Sequence, residues 1–446
     1  MAYSGNLTWE SVRGPTIDDR RGTYFGTVIP PNENPTVVLP RPADEAPPRR
    51  SRLRGVDLAR ALAVFGMFVA HIGPNMINPH SGGAAKVLAD LSEGHSSILF
   101  ATLAGVSLAL LTGGSRPHEG VALRRDRIRI AVRAALLFVL GMALTQLGAP
   151  IMVILSFYGV YFLLALPLLR LRPGALLATA AVWALVAPQL SFVLRQPMDA
   201  DSGGGALSFS DLTSLSGAGT GLLNLLLTGT YPVLTWMPFV LTGLALGRCD
   251  LRSTAVRVRL FAGGVGLAVL GYGSSWLALN VFGGLRSLEP ILNAMRPLAA
   301  QYGVAPLDLL TMHGFGTVPT SNAALLLLAS AHTGTTFEIV GSTGCALAVL
   351  ALCLVVGDRV RALLAPLAAV GSMALTVYVV QAVALKIIED NARESLVQLP
   401  WLPLTGLVVG SLVLCGLWRP FLGRGPLEWL LHRTSTRTAD ALGSRL

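Results

Sequence analysis

Histidines and charged side chains are sparse in this chain and fall in a few defined places. Arg54-Gly-Val-Asp57-Leu-Ala-Arg60 opens a long apolar run that reaches His71. Asp57 and Arg60 are three residues apart, so on a helix they share a face and can pair. His71 follows Arg60 by eleven residues. That is three turns plus about 20°, which places all three groups on one stripe with His71 about 16 Å further along the axis. Ionisable groups on an apolar helix need protein or water beside them, so a shared stripe points to a polar cavity. The plainer reading is a helix-end ion pair and an interfacial histidine.

Other groups of the same kind recur. His80 lies in the segment after that run, and His95 opens a second one in Glu93-Gly94-His95-Ser96-Ser97. His332 and Glu338 bracket His332-Thr-Gly-Thr-Thr-Phe-Glu338. Thr335-x-x-Glu338 is a capping-box pattern, so Glu338 either completes a helix start or orients a histidine. Imidazoles that titrate near neutrality suit the deprotonation of a hydroxyl or ammonium group. Tyr231, Pro232, Trp236 and Pro238 lie at the start of another apolar run. Two prolines there should kink the helix and free carbonyls, and the aromatic rings suit either a substrate or a membrane interface. Gln381 is a polar group deep in an apolar segment, where hydrogen bonding between helices is the default role. Arg124-Arg125-Asp126-Arg127-Ile128-Arg129 is dense enough to hold a polyanion, since guanidinium groups bind phosphates bidentately.

The elements that must position these groups are membrane helices. The 446 residues are 52% hydrophobic and only 13% charged, and the mean hydropathy is +0.61. That charge content is about half that of a soluble domain. Apolar runs long enough to span occur at about 55–73, 95–112, 130–147, 151–169, 175–194, 230–247, 260–282, 336–356, 364–385 and 401–418. The expected fold is therefore all-α and polytopic, with about ten transmembrane helices. With both termini cytoplasmic, 23 basic residues fall on the inner side and 6 on the outer. This asymmetry accounts for the net charge of +10 without nucleic acid, and it favours an even number of spans in the plasma membrane. Residues 1–50 are Pro-rich, lack an apolar core segment, and read as a disordered cytoplasmic tail with no cleavable signal. Residues 51–433 form the membrane domain and 434–446 a second cytoplasmic tail. The four cysteines make no CxxC pair and read as small buried hydrophobes, so no metal site is expected. P-loop, HExxH and GxSxG signatures are absent. A proton-coupled transporter or exporter would use the same polar stripe. Its usual internal repeat is not evident between the two halves, however. A scaffold without a small-molecule site is the third possibility.

The opening Arg54-Gly-Val-Asp57-Leu-Ala-Arg60 to His71 resembles that of the heparan-α-glucosaminide N-acetyltransferase-like membrane proteins. The bacterial, actinobacterial branch described as a domain of unknown function (DUF418) is most similar. Four further stretches carry the likeness. They are Gly94-His95-Ser96-Ser97 through Ser107, Gly229 to Trp236, His332 to Glu338, and Gly425-Pro426-Leu-Glu428-Trp429. The resemblance implies an acyltransferase that takes an acetyl or other acyl group from cytoplasmic acetyl-CoA or another acyl-CoA. The acceptor would be a sugar hydroxyl or amine of an envelope glycan or glycolipid on the outer face. The family's catalytic Asn–His pair falls near His71 and His80, with His95, His332 and Glu338 as further catalytic candidates. Arg54, Asp57, Arg60, Arg124, Arg125, Arg127 and Arg129 are the expected CoA-binding set, and Tyr231, Trp236 and Gln381 the substrate contacts. The expected partners are membrane lipids, acyl-CoA and the glycan or glycolipid acceptor, with homodimerisation left open.

Overall fold

The structure is a computed structural model, and it describes residues 53–77, 82–198, 204–312, 314–360 and 362–443. The expected N-terminal tail and His80 lie outside the described residues. Among the described residues the chain is all helical, apart from one isolated bridge between Gly204 and Gly229. In order the helices are α1 (Arg54–Ile72), α2 (Pro74–Ile77), α3 (Ala84–Ser92), α4 (His95–Leu111), α5 (Gly120–Gln146) and α6 (Leu155–Ala165). Then come α7 (Pro173–Arg195), α8 (Leu215–Leu223), α9 (Val233–Gly247), α10 (Thr254–Asn280), α11 (Gly284–Tyr302) and α12 (Pro306–Met312). The last are α13 (Thr336–Arg359), α14 (Ala365–Ser372), α15 (Ala374–Gln398), α16 (Leu402–Leu422) and α17 (Pro426–Gly443).

Each of the ten apolar runs is helical. Seven helices are long and apolar enough to cross a membrane, or eight if α14 and α15 form one span bent by 79°. The runs at 151–169 and 230–247 fold as the shorter apolar helices Leu155–Arg170 and Val233–Gly247. A third short one, Leu215–Thr228, covers an apolar stretch too brief to cross. The molecule is a polytopic helical membrane protein. Residues 434–443 form the second half of α17, which lies along α5. Arg133 Nε donates to Ser435 Oγ at 3.2 Å, and Arg125 pairs with Asp440 at 2.7 Å.

α1 runs through the middle of the bundle, against α4, α13 and α14. Small residues let these backbones meet. A Cβ at Gly371 would overlap the Asp57 carbonyl oxygen, and one at Gly243 would overlap that of Thr102. This is the close packing expected where lipid tails remove the hydrophobic drive for association between helices. α9 shows how its prolines are accommodated. Pro238 has no N–H for the Leu234 carbonyl, and the Trp183 indole N–H donates to that oxygen at 2.8 Å instead.

Candidate functional site

Polar side chains gather at two levels of the bundle. At one end stand His71 at the close of α1, His95 at the start of α4, and the 330–338 loop before α13. Gly94 has φ +69°, and a Cβ there would lie 2.7 Å from the Ala331 side chain, so glycine lets the loop carrying His332 approach α4. His332 itself has φ +58°, a left-handed conformation costly for a residue with a side chain. Glu338 holds it there. One carboxylate oxygen accepts the His332 N–H at 2.6 Å, and the other accepts the Gly334 N–H at 2.6 Å and the Thr333 hydroxyl at 3.2 Å. The Glu338 N–H donates to Thr335 Oγ1 at 3.1 Å, so the N-cap half of the capping box forms while the carboxylate fixes the loop. Glu338 therefore contacts the His332 backbone, and its carboxylate oxygens are taken up by the loop rather than by an imidazole.

The His332 ring stacks on Trp236 at 5.9 Å and meets Tyr231 edge-on at 5.6 Å. Its Nδ1 is buried and has no hydrogen-bond partner among the described residues. Burial, and secondarily the charge His95 would carry, push its pKa down to about 4. His332 is thus a neutral imidazole with a spare lone pair or proton. His71 lies close enough to interact electrostatically with it. Gln381 of α15 bonds His71 Nδ1 at 2.9 Å, and the Gln381 Oε1 atom is buried without a partner. The amide as placed also donates to the Met67 carbonyl at 3.4 Å, a bond lost if it is turned over. An amide N–H donated to Nδ1 leaves the His71 proton on Nε2, whereas the amide turned over accepts from Nδ1–H and leaves Nε2 free as a base.

His95 is more fully engaged. Its Nδ1 lies 3.0 Å from the Glu93 carbonyl, to which it must donate, so Nε2 accepts from the Tyr272 hydroxyl at 2.9 Å. Tyr272 in turn lies 2.8 Å from Ser342 Oγ. This relay borders a polar cavity of about 420 Å³ that also exposes Glu93, Lys86 and Asp308. Tyr272 and Ser342 escaped the sequence reading. The signal was there in Gly271-Tyr272-Gly273: a Cβ at Gly271 would overlap the Gly341 backbone nitrogen, and Gly341 makes room for the tyrosine ring.

The other end is cationic. Asp57 is buried and pairs with Arg60 at 2.9 Å, as their spacing implies, and Arg60 also donates to Ser107 Oγ at 2.8 Å. Arg60 lines a cavity of about 450 Å³ whose mouth carries Arg133, Arg424 and His432. From there the cavity is walled by apolar and aromatic side chains as far as Leu155, Tyr158 and Phe100. Leu111 and Phe100 both line it, so it follows α4 for about 16 Å by helix rise. Glu428 anchors the wall across the chain, accepting the Leu375 N–H at 2.8 Å and the Thr376 hydroxyl at 2.6 Å where α15 begins. The arginines around His432, led by Arg424, Arg133 and Arg129, add to burial in holding its pKa below the ordinary value.

The arginine run expected to bind a cofactor is arranged differently. Arg124 and Arg125 are exposed, Arg125 pairs with Asp440, and Arg129 lies 3.5 Å from Asp126. Asp126 is buried and also takes His118 Nδ1 at 2.6 Å, so part of the run ties the helix end together. Neither these residues nor Arg127 line the cavity, and Arg54 lines a separate one of about 440 Å³ with Arg419. Arg133 and Arg424 line the mouth instead, and the sequence reading missed both.

Ring contacts and one hydrogen bond join the two levels. Phe100 stacks on Tyr158, Tyr158 touches Tyr161, and the Tyr161 hydroxyl donates to the Tyr231 carbonyl. Tyr231 then reaches Trp236 and His332. Among the described residues no group of His, Cys, Asp or Glu is arranged to hold a metal.

A family model described as heparan-alpha-glucosaminide N-acetyltransferase, catalytic, matches residues 52–274, half of the chain. The chain belongs to this family. A second model, described as a protein of unknown function (DUF418), matches residues 306–438. No curated protein matches the chain at a significant level. The catalytic-domain match marks it as a membrane acetyltransferase-like protein. The two matched stretches meet at both levels: His71, His95 and Arg133 come from the first, His332, Gln381 and Arg424 from the second.

Proposed function

We propose that the chain is an integral-membrane acyltransferase that uses cytoplasmic acyl-CoA, with acetyl as the first candidate acyl group. The acceptor is a sugar hydroxyl or amine of an envelope glycan or glycolipid arriving at the opposite face. One observation carries this reading. The cavity, with Arg60, Arg133, Arg424 and His432 at its mouth and a largely apolar wall beyond, about 16 Å in all along α4, complements CoA, which is anionic at one end and slender at the other. The stripe from Arg60 along α1 leads from that cavity to His71.

On this reading the arginines take the phosphates, and the pantetheine arm follows α4 toward the aromatic layer. The acceptor approaches through the polar cavity at His95 and Tyr272. His71 Nε2 removes the acceptor proton when Gln381 presents its carbonyl to Nδ1–H, with His332 beside it. The basic loops then belong to the cytoplasmic side and the protein to the plasma membrane.

The test is CoA release by purified protein in lipid nanodiscs given acetyl-CoA and an aminosugar or a sugar alcohol. Turnover is expected, with His71→Ala lowering it by about a hundredfold to ten-thousandfold. Absence of acyl-CoA binding, together with an unchanged rate in His71→Ala, refutes the reading.

A further inference from the structure

Tyr158 of α6 stands where the arginine-mouthed cavity ends. Its ring forms part of the end wall, stacked on Phe100 at 5.7 Å and on Phe162 at 6.3 Å. The residue is almost wholly buried, and its hydroxyl has no hydrogen-bond partner among the described residues. A tyrosine hydroxyl in an apolar site nearly always finds a partner, because leaving it dry and unpaired is costly. The exception asks for an explanation. Ser156, also buried and unpaired, does not line the cavity, so the feature that sets Tyr158 apart is its place at the end wall.

The hydroxyl oxygen is itself buried. Its electrostatic neighbours are Tyr231, which packs on His332, and Tyr378, one turn before Gln381 on α15. Two more orphaned polar atoms, Gln381 Oε1 and His332 Nδ1, belong to the residues around His71. The aromatic layer thus contains buried hydrogen-bonding atoms without partners at the level where a donor from one cavity must meet an acceptor from the other.

We propose that Tyr158 is the oxyanion-stabilising residue: the donor's acyl thioester passes between the rings of Phe100 and Tyr158, and its carbonyl oxygen takes the hydrogen bond that the Tyr158 hydroxyl lacks. This rests on the acyl-CoA reading above. The acceptor oxygen or nitrogen attacks the thioester carbon, forming the new C–O or C–N bond, and the carbonyl electron pair moves onto the oxygen held by Tyr158. The pair then returns, the C–S bond breaks, and the CoA thiolate leaves. The acceptor proton, taken up by His71, passes to that thiolate, so acyl-CoA and acceptor become acylated acceptor and CoA thiol. In the resting protein the same ring closes the cavity and keeps water from the thioester.

The experiment uses full-length protein in nanodiscs and two non-transferable probes. One is the ketone analogue of acetyl-CoA in which a methylene replaces the sulfur; the other is S-ethyl-CoA, which lacks the carbonyl oxygen. Wild type should bind the ketone about fivefold to tenfold more tightly than the thioether. Tyr158→Phe should bind both alike, raise the acetyl-CoA KM by no more than about tenfold, and lose about a hundredfold in kcat. If both probes bind but Tyr158→Phe keeps the ketone preference or the full kcat, the role of Tyr158 is overturned while the donor cavity stands. If neither probe binds wild type, the cavity is not a CoA site and both readings fall.

Discussion

Glu338→Gln should unfasten the His332 loop while changing almost nothing in volume. The carboxylate accepts two backbone N–H groups at 2.6 Å, those of His332 and Gly334, one on each oxygen. An amide has a single acceptor oxygen, so one of these N–H groups would face an NH2 instead. Hydrogen bonds to charged groups contribute about 1.5–3 kcal/mol each, and a buried N–H left unpaired costs about 1–3 kcal/mol. One bond is lost and the other becomes neutral, for a destabilisation of roughly 2–4 kcal/mol. The released strain at His332, with φ +58°, offsets a little of that. Thermal unfolding in detergent measures the first effect. The rate of CoA release at saturating donor measures the second, and it should fall at least tenfold because the imidazole loses its seat against Trp236. A Glu338→Gln variant that kept the wild-type melting temperature and rate would show that the carboxylate does not hold the loop.

Two further outcomes follow from the geometry. Arg133→Gln and Arg424→Gln should each raise the acetyl-CoA KM about tenfold with kcat nearly unchanged, whereas Arg124→Gln and Arg125→Gln should leave KM alone. The reverse pattern in steady-state kinetics would return the donor site to the arginine run. His332 is held to a pKa of about 4, against about 6.5 when unfolded, first by burial and then by His95. The unfolded chain therefore takes up a proton that the folded chain refuses, so stability is intact above pH 6.5 and declines as pH falls toward 4, by at most about 3 kcal/mol. Melting curves of wild type and His332→Asn between pH 7.5 and 4.5 check this; equal acid sensitivity would exclude His332 as the source.

Most of the bundle was legible because hydropathy records what a lipid-facing helix must be. The ten apolar runs are ten helical stretches, even though 151–169 and 230–247 are shorter than a full crossing. The histidine end was legible for a related reason: His71, His95 and the 332–338 segment all sit where a helix begins or ends. What escaped depends on tertiary approach. Arg133 and Arg424 are 291 positions apart and meet only because α17 folds back along α5. The dense run from Arg124 does not line that cavity for a geometric reason, since consecutive residues fan out at about 100° intervals and cannot all face one side. Tyr158 carried no signal at all, because an aromatic residue in an apolar helix is ordinary until its hydroxyl proves to be alone.

The aromatic layer between the two levels would also serve as an electrical insulator. A protein that carried out chemistry across a membrane through an open pore would short-circuit the voltage that membrane maintains. On the acyltransfer reading, the rings between the cationic cavity and the polar one would let an acyl group be handed over without an open path for ions. Vesicles containing the working protein should therefore hold their membrane potential throughout turnover.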